Sequence, residues 1–193
     1  MKTQFLLAAA LLASTACAQP GPYFTLSSGT ATFGSQATNG QTKRRDAVGA
    51  GFALNGVFAV EASYFWVQEA RDAAEDLAGP GFHNPDFFPV ASGMKLCGYA
   101  YGPVLRWKVS DRVTLFTKQS AVTIKADETD WFNTGSATHW SYTVRAYQPS
   151  LGIDLRLSQR APVRLGLEVS RALTKNYPVK NLTCVGLNLS YGF

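Results

Sequence analysis

The sequence predicts an all-β protein, an eight-stranded antiparallel up-and-down transmembrane β-barrel. Apolar residues alternate with small or polar residues in segments of about ten residues, as expected for strands with one lipid-facing side. The connections between these segments alternate between short and long. Of the 193 residues, 12% are aromatic and 16% are charged, whereas about a quarter are charged in an average soluble protein.

Residues 1–18 have the features of a secretory signal peptide. Lys2 supplies the positive start, a short apolar stretch follows, and Ala16–Ala18 form an A-x-A cleavage site. The barrel is then expected to occupy residues 19–193. Acylation of Cys17 is the weaker alternative, because the residues before it do not match the usual lipoprotein signal.

The strands are located by their period-two alternation. In the clearest segment the apolar residues all fall on one face, and they are Val185, Leu187, Leu189, Tyr191 and Phe193. Short turns are expected at 55–57, 110–112 and 159–161, and long loops at 34–46, 70–92, 127–139 and 174–181. With an even number of strands both termini lie on the short-turn side, which is the arrangement of outer-membrane barrels.

The central hairpin allows two registers. With a two-residue turn at Ser110-Asp111, Lys118 would point into lipid, which costs about 2–4 kcal/mol near mid-membrane. With a three-residue turn at Ser110–Arg112, Lys118 points into the lumen and Phe116 does so as well. A slip of one residue exchanges the two faces, so the cost of a lipid-facing lysine favours the three-residue turn.

The opposite face of the strands carries glycine and charge. An eight-stranded barrel has an interior just wide enough for side chains, and buried charges are costly unless they are paired. We therefore expect a narrow polar lumen filled by a salt-bridge network, with a gate or plug as the functional alternative. The predicted lumen charges are Glu61, Arg106, Lys118, Asp154, Arg156, Arg164 and Glu168.

Two cysteines remain after the signal peptide. Cys97 shares the outward parity of Tyr99, whereas Cys184 shares the inward parity of Gly186. They also fall on strands four and eight, on opposite sides of the barrel. Because a disulfide requires Cα atoms within about 7 Å, no bridge is expected between them.

Three segments resemble the small eight-stranded outer-membrane barrels of the OmpA/OmpX type. They are the start Gly21–Phe24, the strand Phe58–Tyr64 with its inward acidic residue, and the ending Leu189–Phe193. The resemblance extends over essentially the whole mature chain. It implies a location in the bacterial outer membrane, in contact with outer-membrane lipid and lipopolysaccharide.

The ending is also similar to the signal that the outer-membrane assembly machinery reads, with Tyr191 and Phe193 as its aromatic residues. Because the sequence stops at Phe193, the peptidoglycan-binding role of larger relatives is not expected here.

The leading functional interpretation is a non-enzymatic envelope protein whose long external loops serve envelope integrity or surface interaction, since loops on a rigid scaffold often carry recognition. The loop ligand is unknown. The alternatives are a lipid-modifying acyl hydrolase and a weak small-solute channel. His139 and Ser141 share one face, as in barrel-embedded lipid A deacylases, but no carboxylate is assignable as the third member.

No cofactor, metal or nucleic-acid partner is expected. Loop charges such as His83 and Asp86, or Asp127, Glu128 and Asp130, are interpreted as solvated rather than as cation ligands. The basic residues are scattered apart from one run at 43–45, which is not a nucleic-acid footprint.

Overall fold

The computed structural model describes residues 20–33, 40–73, 91–132, 135–158, 162–174 and 181–192. Within these ranges eight antiparallel strands close into a barrel in sequence order, with β1 beside both β2 and β8. The predicted fold is confirmed. The strands are β1 Gly21–Phe33, β2 Thr42–Ala53, β3 Phe58–Ala73, β4 Ala91–Lys108, β5 Val113–Trp131, β6 Ala137–Arg156, β7 Val163–Ala172 and β8 Leu182–Gly192. The predicted signal peptide and Phe193 lie outside the described residues.

An apolar band surrounds the outside of the barrel and confirms the predicted outward face. Its large side chains are exposed, with Leu151 at 65% and Leu187 at 57%. Soluble monomers rarely expose apolar patches above a few hundred Å², so this surface is suited to lipid. Further members are Leu26, Val48, Phe52, Val60, Leu115, Ile153, Leu155, Leu165, Leu167 and Leu189.

Aromatic residues mark the ends of this band. Tyr64, Trp66 and Tyr99 stand near its loop side, where the rings of Tyr64 and Tyr99 are 5.1 Å apart between centroids. Tyr191 is exposed near its turn side. Two such belts are typical of both membrane interfaces. No helix among the described residues is long and apolar enough to cross a membrane.

The central hairpin adopts the predicted three-residue turn. The backbone N–H groups of Val109 and Ser110 both donate to the Val113 carbonyl, at 2.9 and 3.1 Å. Leu115 is therefore exposed to the outside, and Phe116 is buried inside at 2% exposure. Lys118 points into the lumen, as the cost of a lipid-facing lysine predicts.

The predicted long loop at 127–139 is wrong. β5 continues to Trp131 and β6 begins at Ala137, so the connection between them is short. Polar pairs such as Asp127 with Ser141 continue the ladder beyond the apolar band. β2 likewise begins at Thr42 and contains the basic run. Apolar alternation ends at the membrane boundary, whereas backbone pairing does not.

Strands β3 to β6 reach further toward the loops than the other four. Among the described residues, β6 pairs with β5 along its whole length, but with β7 only from Ser150 to Arg156 and at one bridge from Tyr147. A β-bulge follows Val67 in β3, after which β3 and β4 stay paired to Ala73. We call residues 68–73, 91–96, 126–131 and 137–142 the β3–β6 wall.

Aromatic side chains pack directly over glycines inside the turn half of the barrel. A Cβ on Gly51 would lie 2.2 Å from the Tyr23 ring, and one on Gly152 would lie 2.2 Å from the Phe116 ring. These glycines are required by close approach, because any larger residue would displace the ring. They let two rings fill the lumen without widening the barrel.

We predict that Leu165→Arg strongly impairs the barrel whereas Thr183→Arg does not. Arginine near the membrane midplane costs about 2–4 kcal/mol, and Leu165 lies on the lipid face. Thr183 pairs with Arg171 on the loop side of the band, where a basic residue already stands. The measurement is the folded fraction in lipid vesicles, seen as heat-modifiable gel mobility. Equal folding of the two variants would contradict the outward assignment.

Candidate functional site

The centre of the lumen is organised around one lysine. The Lys118 ammonium on β5 lies 2.8 Å from Glu61 Oε1 on β3 and 2.9 Å from Glu168 Oε2 on β7. All three side chains are largely shielded from solvent, with at most 17% exposure. One cation therefore joins three alternate strands across the interior. We call these three residues the lysine bridge.

Neutral groups complete the hydrogen bonding of the two carboxylates. The Tyr23 hydroxyl donates to Glu61 Oε2 at 3.1 Å, and the Asn188 amide donates to Glu168 Oε2 at 2.8 Å. Buried ionic groups are tolerated when their remaining lone pairs are satisfied in this way. Beside them the Gln148 amide donates to the Ser170 hydroxyl at 2.6 Å.

The remaining four predicted lumen charges lie toward the turn end. The Arg106 guanidinium stands 4.6 Å from the centroid of the Tyr23 ring. Asp154 is buried, and Gly166 leaves room for it, since a Cβ there would lie 2.2 Å from its Oδ1. Arg164 and Arg156 face each other across β6 and β7 at the turn-side mouth. Arg156 is exposed and its Nε donates to the Ser158 carbonyl at 3.1 Å.

Apolar side chains occupy much of the lumen on the loop side of the lysine bridge. This cluster includes Phe33, Phe65, Met94, Leu96, Ile124 and Leu182, each almost fully buried. The sequence predicts glycine and charge on this face but not this apolar layer. These apolar residues have the same inward parity as the lumen charges, but they lie beyond the stretch in which the outward residues are apolar.

Free space beside the lysine bridge is small. The cavity lined by Glu61, Arg106, Lys118 and Asp154 has a volume of about 20 Å³. A single water molecule needs roughly 10–15 Å³ by this kind of measure. The cavity is therefore of the size of one water.

His139 and Ser141 lie at the loop end of β6, on the outward face. The His139 Nδ1 is 3.0 Å from the Thr129 hydroxyl. Ser141 instead hydrogen-bonds to Asp127 and lowers the pKa of that carboxyl. A Ser-His-acid relay requires the acid to orient the histidine. Here the Asp127 carboxylate is hydrogen-bonded to the serine instead, so the arrangement does not match such a relay.

The acidic run 127–130 does not converge on a common point. Asp127 faces outward, whereas Glu128 points inward and is buried. Among the described residues no group of three or more histidine, cysteine, aspartate or glutamate side chains could hold a metal ion. His83 and Asp86 lie outside the described residues. Cys97 and Cys184 are both free thiols, on β4 and β8.

Exposed basic residues on strands β2 to β7, which were not predicted from the sequence, stand on the loop side of the apolar band. We call this set the basic collar, and its members are Arg44, Arg71, Lys95, Lys125, Arg145 and Arg171. The alternation of the strands identifies these residues as outward-facing. Arg171 has the same parity as Val169, and Arg145 has the same parity as Tyr147. The collar follows directly on the loop-side aromatic belt.

Carboxylates pair with part of the collar. Glu69 accepts from Arg71 at 2.7 Å and lies 3.5 Å from Lys95, while Asp127 lies 3.2 Å from Lys125. The hydrogen bond from Arg71 holds the pKa of Glu69 below its usual value. Within the described ranges, neither Arg145 nor Arg171 forms a salt bridge.

Known proteins with this architecture share its shape but little of its sequence. Neisserial surface protein A aligns with a TM-score of 0.63 at 14% identity, covering 90% of this chain and 97% of its own. Ail, the attachment invasion locus protein of Yersinia pestis, solved in complex with the heparin analogue sucrose octasulfate, aligns with a TM-score of 0.59 at 12% identity, covering 91% of this chain and all of its own.

The chain has the fold of the small bacterial outer-membrane barrels. No protein-family model and no curated protein matches it significantly. At these identities the likeness establishes the fold alone. A closed single-chain transmembrane barrel of eight strands with short turns at one end is the outer-membrane type, and the apolar band, aromatic belts and short turns agree with it.

We predict that Lys118→Met destabilises the barrel by about 3–5 kcal/mol, because it leaves two buried carboxylates without their cation. The triple variant Lys118→Met/Glu61→Gln/Glu168→Gln removes the charges together and recovers most of this loss. Urea unfolding in detergent micelles, followed by tryptophan fluorescence, measures both. A single variant that unfolds at the wild-type urea concentration would show that the lysine bridge carries no stabilising role.

Proposed function

We propose that this protein is a non-enzymatic outer-membrane barrel whose loop-side surface interacts with lipopolysaccharide and with molecules outside the cell. The observation that carries the proposal is the basic collar directly beyond the aromatic belt. Lipopolysaccharide presents phosphate groups at that depth, and arginine and lysine are the side chains that bind phosphate. The proposed envelope role therefore rests on the positive charge of the collar at the depth of these phosphates.

The β3–β6 wall supports a surface role. It raises exposed polar and charged side chains, Arg71 and Lys95 among them, beyond the membrane on a rigid paired sheet rather than on a loop. Ail, which shares the fold, was solved with a sulfated sugar analogue. Anionic sugars are the ligand class that the exposed Arg71, Lys95 and Lys125 would also accept. The unknown loop ligand is proposed to belong to this class.

The lumen is proposed to be a structural filling rather than a conducting pore. The lysine bridge ties alternate strands, the apolar cluster lies on its loop side, and the cavity beside it has a volume of about 20 Å³. The same layers argue against the channel alternative. We expect no conductance steps in planar bilayers, and regular steps for the wild-type protein would overturn this part of the proposal.

The end of β8 is proposed to carry the assembly signal. Tyr191 is exposed at the turn side of the band and pairs with Phe24 and Val163, so it is presented on the lipid face. Phe193 is its expected second aromatic residue. Recognition by the outer-membrane assembly machinery would use this face before the barrel closes.

We predict that Lys125→Gln/Arg145→Gln weakens lipopolysaccharide binding roughly tenfold, which corresponds to about 1.4 kcal/mol. The matched control is Lys108→Gln/Arg112→Gln, which removes two exposed basic residues at the turn end. Titration of detergent-solubilised protein with lipopolysaccharide at two salt concentrations measures the affinity. Equal binding by both double variants would contradict a role of the collar.

The enzyme alternative is tested on the same preparation. Wild-type protein incubated with lipopolysaccharide or phospholipid is expected to release no fatty acid. Release that disappears in His139→Ala and Ser141→Ala would replace the binding proposal with the hydrolase.

A further inference from the structure

A groove runs along β1 on the lipid-facing surface, from the middle of the apolar band up to the basic collar. Its volume is about 380 Å³. Leu26 and Ser28 on β1 line its floor. Its apolar sides come from two strand pairs, β7 and β8 on one side and β2 and β3 on the other, through Leu165, Leu187, Leu189, Val48 and Trp66.

The loop end of the groove carries a prearranged arginine. The Ser28 hydroxyl donates to Asp46 Oδ1 at 2.7 Å, and Arg44 Nε lies 2.9 Å from Asp46 Oδ2. Asp46 thus holds Arg44 through its Nε. The Arg44 side chain is still 60% exposed, so it remains accessible to a ligand on the outer surface. Arginine binds phosphate through its planar fork.

Hydroxyl groups surround this arginine on the outer surface. Arg44 is paired with Thr30 on β1, and Thr30 is paired with Val185 on β8. One step further toward the loops, Arg171 is paired with Thr183, and Thr183 with Thr32. The outward row is completed by Thr42, whose hydroxyl is 2.9 Å from that of Thr32.

Two arginines therefore flank a threonine surface above the groove. β7 and β2 are three strand spacings apart, which is about 14 Å. We call Arg44, Arg171, Thr30, Thr32, Thr42 and Thr183 the arginine–threonine shelf. Its width suits a sugar headgroup with a charged group at its edge, whereas a single phosphate needs only one arginine.

We propose that the groove and the arginine–threonine shelf together form a binding site for the lipid A part of one lipopolysaccharide molecule. One acyl chain lies in the groove, a phosphate meets the Arg44 guanidinium, and the sugar hydroxyls lie on the threonines toward Arg171. The proposal rests on the proposed function and deepens it, because it assigns lipopolysaccharide to one face of the barrel.

The order of apolar, charged and hydroxyl groups along this surface favours lipid A over a second copy of the chain or a phospholipid. A second copy of the chain would bring its own apolar band against Arg44, Asp46 and Arg171 and would leave these charges without water. A phospholipid would use the groove and one arginine but would have no sugar for the threonines. An acylated, phosphorylated sugar matches the apolar floor, the arginine and the hydroxyl surface at successive depths.

The test measures lipid A binding by the full-length mature protein in detergent, using purified lipid A and phosphatidylglycerol as the two probes. Val48→Phe narrows the groove, and Arg44→Gln/Arg171→Gln removes the charge of the shelf. The matched control Val60→Phe makes the same change at a similarly exposed position on β3 that does not line the groove. Heat-modifiable mobility confirms that each variant is folded.

We expect both the groove variant and the shelf variant to weaken lipid A binding about tenfold or more, with Val60→Phe unchanged and phosphatidylglycerol unable to compete. Unchanged lipid A affinity in both variants, with binding still sensitive to Lys125→Gln/Arg145→Gln, would overturn this site while leaving the proposed function intact. Absence of lipopolysaccharide binding by the wild type would remove the proposed function itself.

Two other outcomes also overturn the site. Equal affinity for phosphatidylglycerol, lost in the same variants, would make the groove a general lipid contact. A dimer in the native mass spectrum that Val48→Phe abolishes would make the groove an interface between two copies.

Discussion

The structure depends on complete pairing of backbone hydrogen-bonding groups in a medium without water. Lipid offers no partner to an open strand edge, so a sheet can cross the membrane only if it closes. Here closure is made by β1 and β8, which pair from Tyr23 with Gly192 to Phe33 with Leu182. Once the sheet is closed, each residue faces either lipid or lumen. Beyond the membrane, where water can satisfy an edge, β6 continues above β7 as part of the wall.

The interior is layered because a narrow lumen has to exclude large cavities. Rings lie over glycines in the turn half, the lysine bridge occupies the middle, and an apolar cluster fills the loop half. The lysine bridge connects strands across the lumen, because one ammonium contacts carboxylates from β3 and β7. Removing one member of such a group is more disruptive than replacing the whole group with neutral residues. The three layers therefore favour a role of the barrel as a rigid support for the outer surface rather than as a channel for solutes.

The outer surface changes chemistry abruptly where the lipid ends. On β3 and β4, apolar side chains give way to the aromatic belt and then to the basic collar within a few outward positions. This boundary brings acyl-chain contacts and phosphate-binding side chains to the same face. The groove along β1 crosses it, so that Leu26 and Arg44 belong to one continuous surface. Two members of the collar, Arg71 and Lys95, lie on the β3–β6 wall, where soluble anionic ligands are available.

The sequence by itself determined the strand number, the two faces and the hairpin register. Each of these follows from local alternation and from the cost of a lysine such as Lys118 in lipid. It also identified Glu61 and Glu168 as inward charges, but parity does not say which charges meet across the lumen. Only closure of the barrel brings β3, β5 and β7 close enough for one lysine to contact both. The length of β5 and β6 was likewise decided by backbone pairing, which continues after the apolar pattern ends. The shelf joins Arg44 to Arg171 across β1 and β8, and residues so distant in sequence become neighbours only when the first and last strands pair.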